Sequence, residues 1–252
     1  MSDSTRLSTT STSLTVLNRV AAAERTTLRE LVEETGLAKS TVHKHLETLR
    51  DDRLLKKEGE QYMLGFKFLE FGRTAVDTRD HYSVIEQTVR ELASTTGAEV
   101  DFTVDEHGRL VLVYEAVGGT NESTFGVGAT FPLYNTAAGK AILATYSEDC
   151  VEKRLAAEST IEWTERRRSE FQAELKQIRE QGYAINDGEC IPGYNSVASA
   201  IIGPDNAVIG AISLGGPTYR IDRSRLRDDL ATRVCEATRG LSKSLTADSA
   251  HL

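Results

Sequence analysis

Two short predicted helices separated by a glycine are the feature of this sequence that most constrains its fold. Segment 27–35 repeats apolar residues at a spacing of three and four, which is typical of a helix with one buried face. Thr27 followed by Glu30 predicts a capping box at its start, and Gly36 predicts its end, because glycine readily adopts the left-handed conformation of a helix C-cap. Segment 42–49 then repeats apolar residues at i, i+4 and i+7, which predicts a second helix immediately after the turn.

The second helix presents small polar and basic side chains on the side away from its apolar face. On a helical wheel of about 100° per residue, Ser40 and Lys44 point away from Val42 and Leu46. A helix, a short turn and such a second helix form the arrangement that places the second helix in the major groove of DNA. We therefore expect a helix-turn-helix over about residues 27–47.

A wing and a local positive charge accompany this motif. Residues 53–64 predict two short strands joined by a polar turn at Glu58 to Glu60. Between residues 36 and 57, six Lys and Arg stand against three Asp and Glu, so the local field is positive. Glu47 lies near the exposed face and either accepts from a cytosine amine or is solvated. We expect DNA contacts from Thr27, Lys39, Ser40, Thr41, His43, Lys44, Arg53, Lys56 and Lys57.

The same helix spacing also occurs in three-helix bundles that bind no DNA. The overall charge is −8, which repels nucleic acid, but it is unevenly distributed. Residues 1–72 carry 11 Lys and Arg against 11 Asp and Glu, whereas residues 73–252 carry 19 against 27. The excess of negative charge therefore belongs to the second part of the chain, and a neutral first part with a wing favours the DNA-binding interpretation.

Composition and length indicate a soluble protein of two domains. The chain has 252 residues, its start is polar and rich in Ser and Thr, and it contains no run of 18 apolar residues. We expect neither a secretory signal nor a membrane span, and hence a cytoplasmic protein. The three cysteines, Cys150, Cys190 and Cys235, form no CxxC pair, so we expect no disulfide framework, no metal site and no cofactor.

The second part of the chain predicts an α+β domain. Residues 65–97 are mostly helical in pattern, and we expect one continuous linker helix. From residue 99 the apolar period changes to two, which predicts a hairpin, and further strands and helices follow up to a C-terminal helix at about 221–244. We expect helices around a mainly antiparallel sheet.

The N-terminal motif resembles the winged helix-turn-helix of IclR-type transcriptional regulators. The family pattern is matched by Gly36-Leu37 at the turn, Ser40-Thr41-Val42 at the start of the recognition helix, His45-Leu46 within it, and Tyr62 to Gly65 before the linker. The resemblance covers almost the whole chain. It implies residues 1–68 as a winged helix-turn-helix domain, and residues 69–252 as a linker helix and a GAF-like effector-binding domain.

Three segments carry the resemblance in the second domain: residues 131–144, 188–201 and 208–217. It implies a pocket for a small organic molecule, lined by Phe131, Ala137, Ala138, Asn186, Glu189, Tyr194, Ser196, Ser213 and Gly215. Glu189 either lines the pocket or holds its loop. Asn186 stands where some relatives have an acid, and Gly215 where a second serine occurs, which argues against a glyoxylate-like ligand.

The residue types fit such a pocket independently of the resemblance. Free backbone N–H groups at Ala137 and Ala138 suit an anion, Ser196 and Ser213 offer hydroxyls, and aromatic residues supply apolar walls. Strand serines are also often simply hydrogen-bonded within the fold, and Gly215-Gly216 could be only a tight turn. We expect no catalytic residue, because no nucleophile elbow or phosphate loop is present. A GAF-like redox enzyme using Cys150 or Cys190 is the alternative.

The residue patterns predict a DNA-binding protein, and the resemblance implies a transcriptional regulator, a repressor or an activator, that controls a catabolic operon. Its partners would be double-stranded operator DNA and a small organic effector, namely a carboxylate, a sugar acid or an aromatic acid. One recognition helix reads few base pairs, so we expect a homodimer on a pseudo-palindrome, with tetramers as paired dimers in relatives. The continuous linker helix would transmit effector binding to the DNA-binding domain.

Overall fold

The structure is a computed structural model that describes residues 7–119, 123–158 and 161–249. The chain divides into two compact units between Arg79 and Asp80. This division lies eleven residues beyond the predicted domain boundary at 68/69. In the described part of the chain, no helix combines the length and apolar character needed to cross a membrane.

The first unit is a winged helix-turn-helix, as predicted. Its helices are α1 (Ser8–Ala23), α2 (Leu28–Thr35), α3 (Lys39–Asp51) and α4 (Lys67–Asp77). Its strands β1 (Thr26–Thr27), β2 (Leu55–Glu58) and β3 (Gln61–Leu64) form an antiparallel sheet in the order β1-β3-β2. The core is built from the apolar faces of α1 to α3 and the inner side of the wing: Val16, Val20, Leu31, Val42, Leu46, Leu49, Leu55 and Tyr62.

The turn between α2 and α3 has the predicted construction. The Glu30 N–H donates to the Thr27 hydroxyl over 3.3 Å, and the Thr27 N–H donates to the Glu30 carboxylate over 2.7 Å. Gly36 ends α2 at φ +66°, a conformation that costs glycine little because it has no Cβ. The capping box and the glycine therefore define both ends of α2, which sets where α3 begins.

The linker is not the single helix that the sequence predicts. It consists of α4 and α5 (Tyr82–Thr96), separated by a break in which His81 has φ +72°. Side chains compete for the last carbonyls of α4: the Thr78 hydroxyl donates to the Thr74 carbonyl over 2.8 Å, and the Arg79 guanidinium donates to the Ala75 carbonyl. These bonds and the left-handed residue end the helix, whereas the apolar spacing alone does not reveal the break.

The second unit is built on a six-stranded antiparallel sheet, which confirms the predicted fold class. The strands β4 (Glu99–Glu106), β5 (Arg109–Val117), β6 (Thr130–Pro132), β7 (Ala184–Asp187), β8 (Tyr194–Ile202) and β9 (Val208–Pro217) lie in the order β6-β5-β4-β9-β8-β7. The helices besides α5 are α6 (Ala137–Leu143), α7 (Glu148–Ala157), α8 (Glu165–Gln181), α9 (Arg223–Arg225) and α10 (Ala231–Ser249), with a π-helical turn, Leu226–Leu230, between α9 and α10.

Helices cover both faces of this sheet. On one face Phe102 packs edge-on against Tyr82 of α5, with ring centroids 5.2 Å apart. The other face packs against α6, whose seven residues are all buried. Because side chains alternate along a strand, Asp101 and Thr103 of β4 point to the α6 side while Phe102 points to the α5 side. The cavity described below lies on the α6 side.

Candidate DNA-binding surface and ligand cavity

The exposed side of α3 carries most of the residues predicted to contact DNA. Lys39, Ser40, His43 and Lys44 are exposed, and Thr41 is half-buried at the edge of this side. The opposite side of the helix is buried in the core of the first unit. The structure therefore brings these five side chains together on one accessible helix face, with two lysine charges among them.

The first turn of α3 has no side-chain cap. Its N-cap residue is Ala38, whose carbonyl accepts from the N–H groups of Thr41 and Val42. The earlier N–H groups, those of Lys39 and Ser40, have no carbonyl within the helix to bond. An uncapped helix start has a partial positive charge and free donors, which is suited to a phosphate oxygen.

Two polar residues near this surface have structural partners. The Thr27 hydroxyl, predicted to contact DNA, belongs to the capping box of α2. Glu47 accepts two hydrogen bonds from the Arg50 guanidinium, over 2.8 and 2.5 Å. In this structure the Glu47 carboxylate is paired with Arg50 in a partly exposed salt bridge.

The wing cations also have partners within the wing. Lys56 lies 2.6 Å from the Glu58 carboxylate, which is also 3.3 Å from Arg25. The Lys57 ammonium lies 5.2 Å from the centre of the Tyr62 ring, a cation–π distance. Arg53 is exposed and has φ +62° at the turn between α3 and β2. The wing therefore presents less uncompensated positive charge than its sequence suggests.

A cavity in the second unit lies between the sheet and the start of α6. The cavity is small, with a volume of about 60 Å³, and part of it is open to solvent. Seven of the nine residues predicted for the effector pocket line it: Phe131, Ala137, Ala138, Asn186, Tyr194, Ser196 and Ser213. The lining also includes residues that the sequence did not single out: Asp101, Thr103, Leu110, Leu112, Phe125, Thr136, Cys190 and Ile191.

Glu189 and Gly215 lie outside this lining, each for a different reason. The Glu189 carboxylate, together with that of Glu174, accepts a hydrogen bond from the buried Lys140 ammonium, over 2.6 and 2.7 Å. It therefore holds the loop between β7 and β8 onto α6. Gly215 lies behind Tyr194, and a Cβ there would be only 2.8 Å from the ring.

Three aromatic rings form one wall of the cavity. The Phe125 ring meets the rings of Phe131 and Tyr194 edge to face, with centroids 5.0 and 5.5 Å apart. The Tyr194 hydroxyl donates to the Glu99 carboxylate over 3.0 Å. Burial and the nearby carboxylates raise the pKa of Tyr194, so its hydroxyl keeps its proton and acts as a donor.

The residue that sequence reasoning missed most clearly is Asp101. Burial raises the pKa of Asp101 to about 7, and the charges of Glu99 and Glu115 add to this effect, while a hydrogen bond from Ser213 opposes it. A signal was available: in the strand pattern Val100-Asp101-Phe102-Thr103, a charged residue occupies a face that helices also cover. The prediction of this strand used only its apolar positions, so the polar residues Asp101 and Thr103 between them were not considered as site residues.

Cys190 lines the cavity but lacks the setting of a nucleophile. Burial, and next the Glu189 carboxylate, raises the pKa of its thiol, which disfavours the reactive thiolate. Across residues 7–119, 123–158 and 161–249, no group of His, Cys, Asp and Glu side chains is arranged to hold a metal ion. The lining of the cavity combines apolar rings with hydroxyl, amide and carboxyl groups.

Both parts of the chain match models of one protein family. Residues 12–59 match the IclR helix-turn-helix domain, and residues 73–243 match the bacterial transcriptional regulator IclR C-terminal domain. The chain is 28% identical to the probable HTH-type transcriptional regulator ArcR of Halobacterium salinarum, over 92% of this chain and 91% of that protein. It is 29% identical to the HTH-type transcriptional regulator KdgR of Escherichia coli, over 81% and 80% of the two chains.

A solved structure extends this likeness to the fold. The crystal structure of an IclR family transcriptional regulator from Brucella abortus is 25% identical, with a TM-score of 0.77 over 97% of this chain and 94% of that one. The C-terminal match alone covers more than half of the sequence. These matches are to transcriptional regulators and not to enzymes, so the alternative of a cysteine-dependent redox enzyme is set aside. The chain belongs to the IclR family of DNA-binding transcriptional regulators.

Proposed function

We propose that a small organic molecule, bound in the cavity between the sheet and α6, controls operator binding by the winged helix-turn-helix. The observation that carries this proposal is the cavity itself, which combines an aromatic wall with polar groups from β4, β8 and β9. Sites of this composition are typical of small-molecule binding. The chain thus has a ligand site in one unit and a DNA-binding surface in the other.

For the DNA contacts, α3 would lie in the major groove with Ser40, Thr41 and Lys44 near the bases and Lys39 at the phosphates. The uncapped start of α3 supports this orientation, because its free N–H groups would otherwise lack partners. His43 would contact the groove edge. The wing residues Arg53, Lys56 and Lys57 would contact the backbone, for which Lys56 has to exchange Glu58 for a phosphate.

The active form would be a homodimer, with tetramers as paired dimers. α4 buries none of its residues, although some of them are large and apolar. Leu69 is 70% exposed, and Phe66, the residue before the helix, is 85% exposed. Large apolar side chains exposed together indicate a surface that a partner covers. Two recognition helices on a pseudo-palindrome would then double the number of base pairs that are read.

The effector and the target operon are expectations that follow from the family. The sequence predicts a carboxylate, a sugar acid or an aromatic acid, and a catabolic operon. The negative face of the cavity, formed by Asp101 and its neighbours, opposes a ligand whose only charge is negative. A ligand that carries an additional group able to interact with carboxylates fits the cavity better, and this is developed below.

The test uses the whole chain and the DNA upstream of its own gene. Fluorescence anisotropy would measure operator affinity with and without extracts of small metabolites, and then with purified fractions. Ala138→Leu fills the cavity, so we expect this variant to bind DNA normally while its affinity no longer responds to the metabolite. DNA binding that responds equally in this variant would contradict the proposed ligand site, and absence of any DNA binding would contradict the proposed regulator.

A further inference from the structure

The sheet face that lines the cavity carries an unusual concentration of negative charge. Asp101 of β4 lies opposite Glu115 of β5 on one side and opposite Ser213 of β9 on the other, and Glu99 is two residues away on the same face. Among the described residues, no Lys or Arg forms a salt bridge with any of these three carboxylates. Arg220, whose charge acts on Tyr194, donates instead to the Gly97 carbonyl over 2.9 Å.

The three carboxylates differ in how well the protein satisfies them. Glu99 accepts from the Tyr194 hydroxyl over 3.0 Å and from the Thr124 hydroxyl over 2.8 Å, and Glu115 accepts from Ser123 over 2.6 Å. Within the described part of the chain, Asp101 receives only the Ser213 hydroxyl, at 3.5 Å. A carboxylate in a covered site normally has closer donors, since an unsatisfied charge there is costly.

A second polar group at the same place has no partner among the described residues. The Thr103 side chain lines the cavity and is only 3% exposed, and no described residue forms a hydrogen bond with its hydroxyl oxygen. Thr103 follows Asp101 by two residues on β4, so the two side chains share one face. A buried hydroxyl without a partner is uncommon and marks a place where a further molecule is expected.

Three kinds of ligand group can be weighed against these residues. A carboxylate would add a further negative charge beside Glu99, Glu115 and the ionised form of Asp101. A neutral hydroxyl would donate to Asp101 but leave the repulsion between the three carboxylates unchanged. A protonated amine would donate to Asp101 and to the Thr103 oxygen, and it would also neutralise part of the cluster.

We propose that the effector carries a protonated amine, which binds against the Asp101 carboxylate with the Thr103 and Ser213 hydroxyls as additional partners. This inference rests on the proposed function, because it names the chemical class of the ligand that the cavity takes. A second, anionic group on the same molecule is compatible with it, provided that the amine occupies the Asp101 position.

The raised pKa of Asp101 agrees with this assignment. It arises from burial and from the charges of Glu99 and Glu115, and it is the shift expected of a carboxylate that awaits a positive partner. The groups that act on Asp101 are those two carboxylates and the Ser213 hydroxyl. The Asp101 charge in turn acts on Tyr194, on which Arg220 also acts. A bound ammonium would lower this pKa again, so amine binding should strengthen as pH rises towards the pKa of Asp101.

The experiment compares probes that match in size and differ in charge. Thermal unfolding of the full chain, above the pKa of Asp101, would be followed with 1,4-diaminobutane, 1,4-butanediol and succinate, and with the set of 4-aminobutanoate, 4-hydroxybutanoate and pentanoate. We expect a rise in melting temperature with the amines, and little or none with the diol and the diacid. Amines that shift the melting temperature no more than their matched alcohols, or a shift with succinate alone, would overturn the proposal.

Variants connect the shift to the site. Asp101→Asn should abolish the amine-dependent shift, Thr103→Val should reduce it, and the exposed Glu180→Gln on α8 should leave it unchanged. Full retention of the shift in folded Thr103→Val and in Asp101→Asn would place the amine elsewhere and overturn the assignment. If Asp101→Asn does not fold, Thr103→Val alone decides.

The outcome also separates this inference from the proposed function. If succinate or pentanoate releases the DNA and the amines have no effect, the proposed control of DNA binding is supported and the amine assignment is wrong. If amines raise the melting temperature through Asp101 but do not change operator affinity, the amine assignment is supported and the proposed control of DNA binding is wrong.

Discussion

The Lys140 ammonium lies 2.6 Å from a carboxylate oxygen of Glu189, although the Lys140 side chain is only 1% exposed. Glu174 accepts from the same ammonium over 2.7 Å. A buried lysine is stable only while it is compensated, so these two partly exposed carboxylates hold both α6 and the loop after β7 in place. The order of the ligand cavity therefore depends on a charge cluster outside its lining.

The first prediction concerns this cluster. Glu189→Gln should lower the free energy of unfolding by about 1 kcal/mol, because Glu174 still compensates the lysine, whereas the Glu174→Gln, Glu189→Gln double variant should lose about 3–5 kcal/mol. Urea unfolding measures both. Glu170→Gln, which removes a surface pair with Arg166, serves as a control and should cost well under about 1 kcal/mol. If the double variant loses only the sum of the two small losses in unfolding free energy measured for the single variants, the role of the cluster is contradicted.

The second prediction follows from the pKa of Asp101, which is about 7 in the folded chain against an ordinary value of 3.8. Between these two values the unfolded chain has released the proton while the folded chain retains it, so stability falls as pH rises from about 4 to about 7 and is then constant. Asp101→Asn removes this loss. At pH values above the pKa of Asp101, we expect the free energy of unfolding of the variant to exceed that of the parent by roughly 1–3 kcal/mol. Near pH 4 the two free energies of unfolding should be equal.

Chemical denaturation across this pH range, without ligand, measures the difference between the two proteins. Glu180→Gln is again the control, since this side chain is exposed on α8. A variant that is less stable than the parent at high pH would show that the Asp101 carboxylate stabilises the empty cavity, which is the opposite of the result expected here.

The third prediction concerns DNA affinity. Lys44→Ala should weaken binding to the DNA upstream of the gene and reduce the slope of affinity against salt by about 1 if the ammonium contacts a phosphate. If it contacts a base instead, the loss should be about 1–3 kcal/mol and should depend on sequence. Lys176→Ala, an exposed lysine on α8, is the matched control. If Lys44→Ala binds this DNA with unchanged affinity, the assignment of α3 as the recognition helix is wrong.

The fourth prediction separates two roles for Thr27. Its hydroxyl is part of a helix cap, so Thr27→Ala should cost about 1 kcal/mol of stability, and Thr27→Ser should recover most of it. The combination with Glu30→Ala should be less than additive, because both residues belong to one capping box. Thermal unfolding measures stability and anisotropy measures operator affinity. Loss of affinity in a Thr27→Ser variant of normal stability would favour a direct DNA contact.

The fifth prediction tests the dimer. Replacing the exposed Phe66 and Leu69 together by Glu places charge on the apolar surface beside α4, so we expect the dimer to dissociate and operator affinity to fall at least tenfold. Sedimentation velocity reports the oligomeric state. Glu70→Lys alters the charge of the same helix and should leave the oligomer intact. A double variant that remains dimeric would assign the interface to another surface.

Local sequence signals were sufficient where neighbouring residues determine the structure. The capping box at Thr27, the glycine after α2 and the period of the apolar residues predict the helix-turn-helix, because each acts within a few positions along the chain. They also predict an antiparallel sheet. α7 was missed because it buries only Val151 and Leu155, although Ser147 is a recognisable cap for it.

Sequence signals failed at the end of α4, and they failed where residues far apart in the sequence determine the structure. The side-chain bonds that end α4 and the left-handed His81 leave no trace in the apolar spacing. The pairing of Glu189 with Lys140 joins positions 49 residues apart, and the orientation of Asp101 towards a covered cavity depends on where α6 packs. Only the resemblance to a family could indicate the pocket residues, and it could not indicate the charge of this particular cavity.

Gly215 has a consequence for how this cavity could change its ligand. A Cβ at this position would lie 2.8 Å from the Tyr194 ring and 2.9 Å from both the Asn195 carbonyl oxygen and the Ser196 Cβ. Any larger residue would therefore displace the ring whose hydroxyl donates to Glu99, and the balance of charge around Asp101 would shift with it. A single carbon atom added at a residue outside the cavity lining would thus reshape the wall of the cavity.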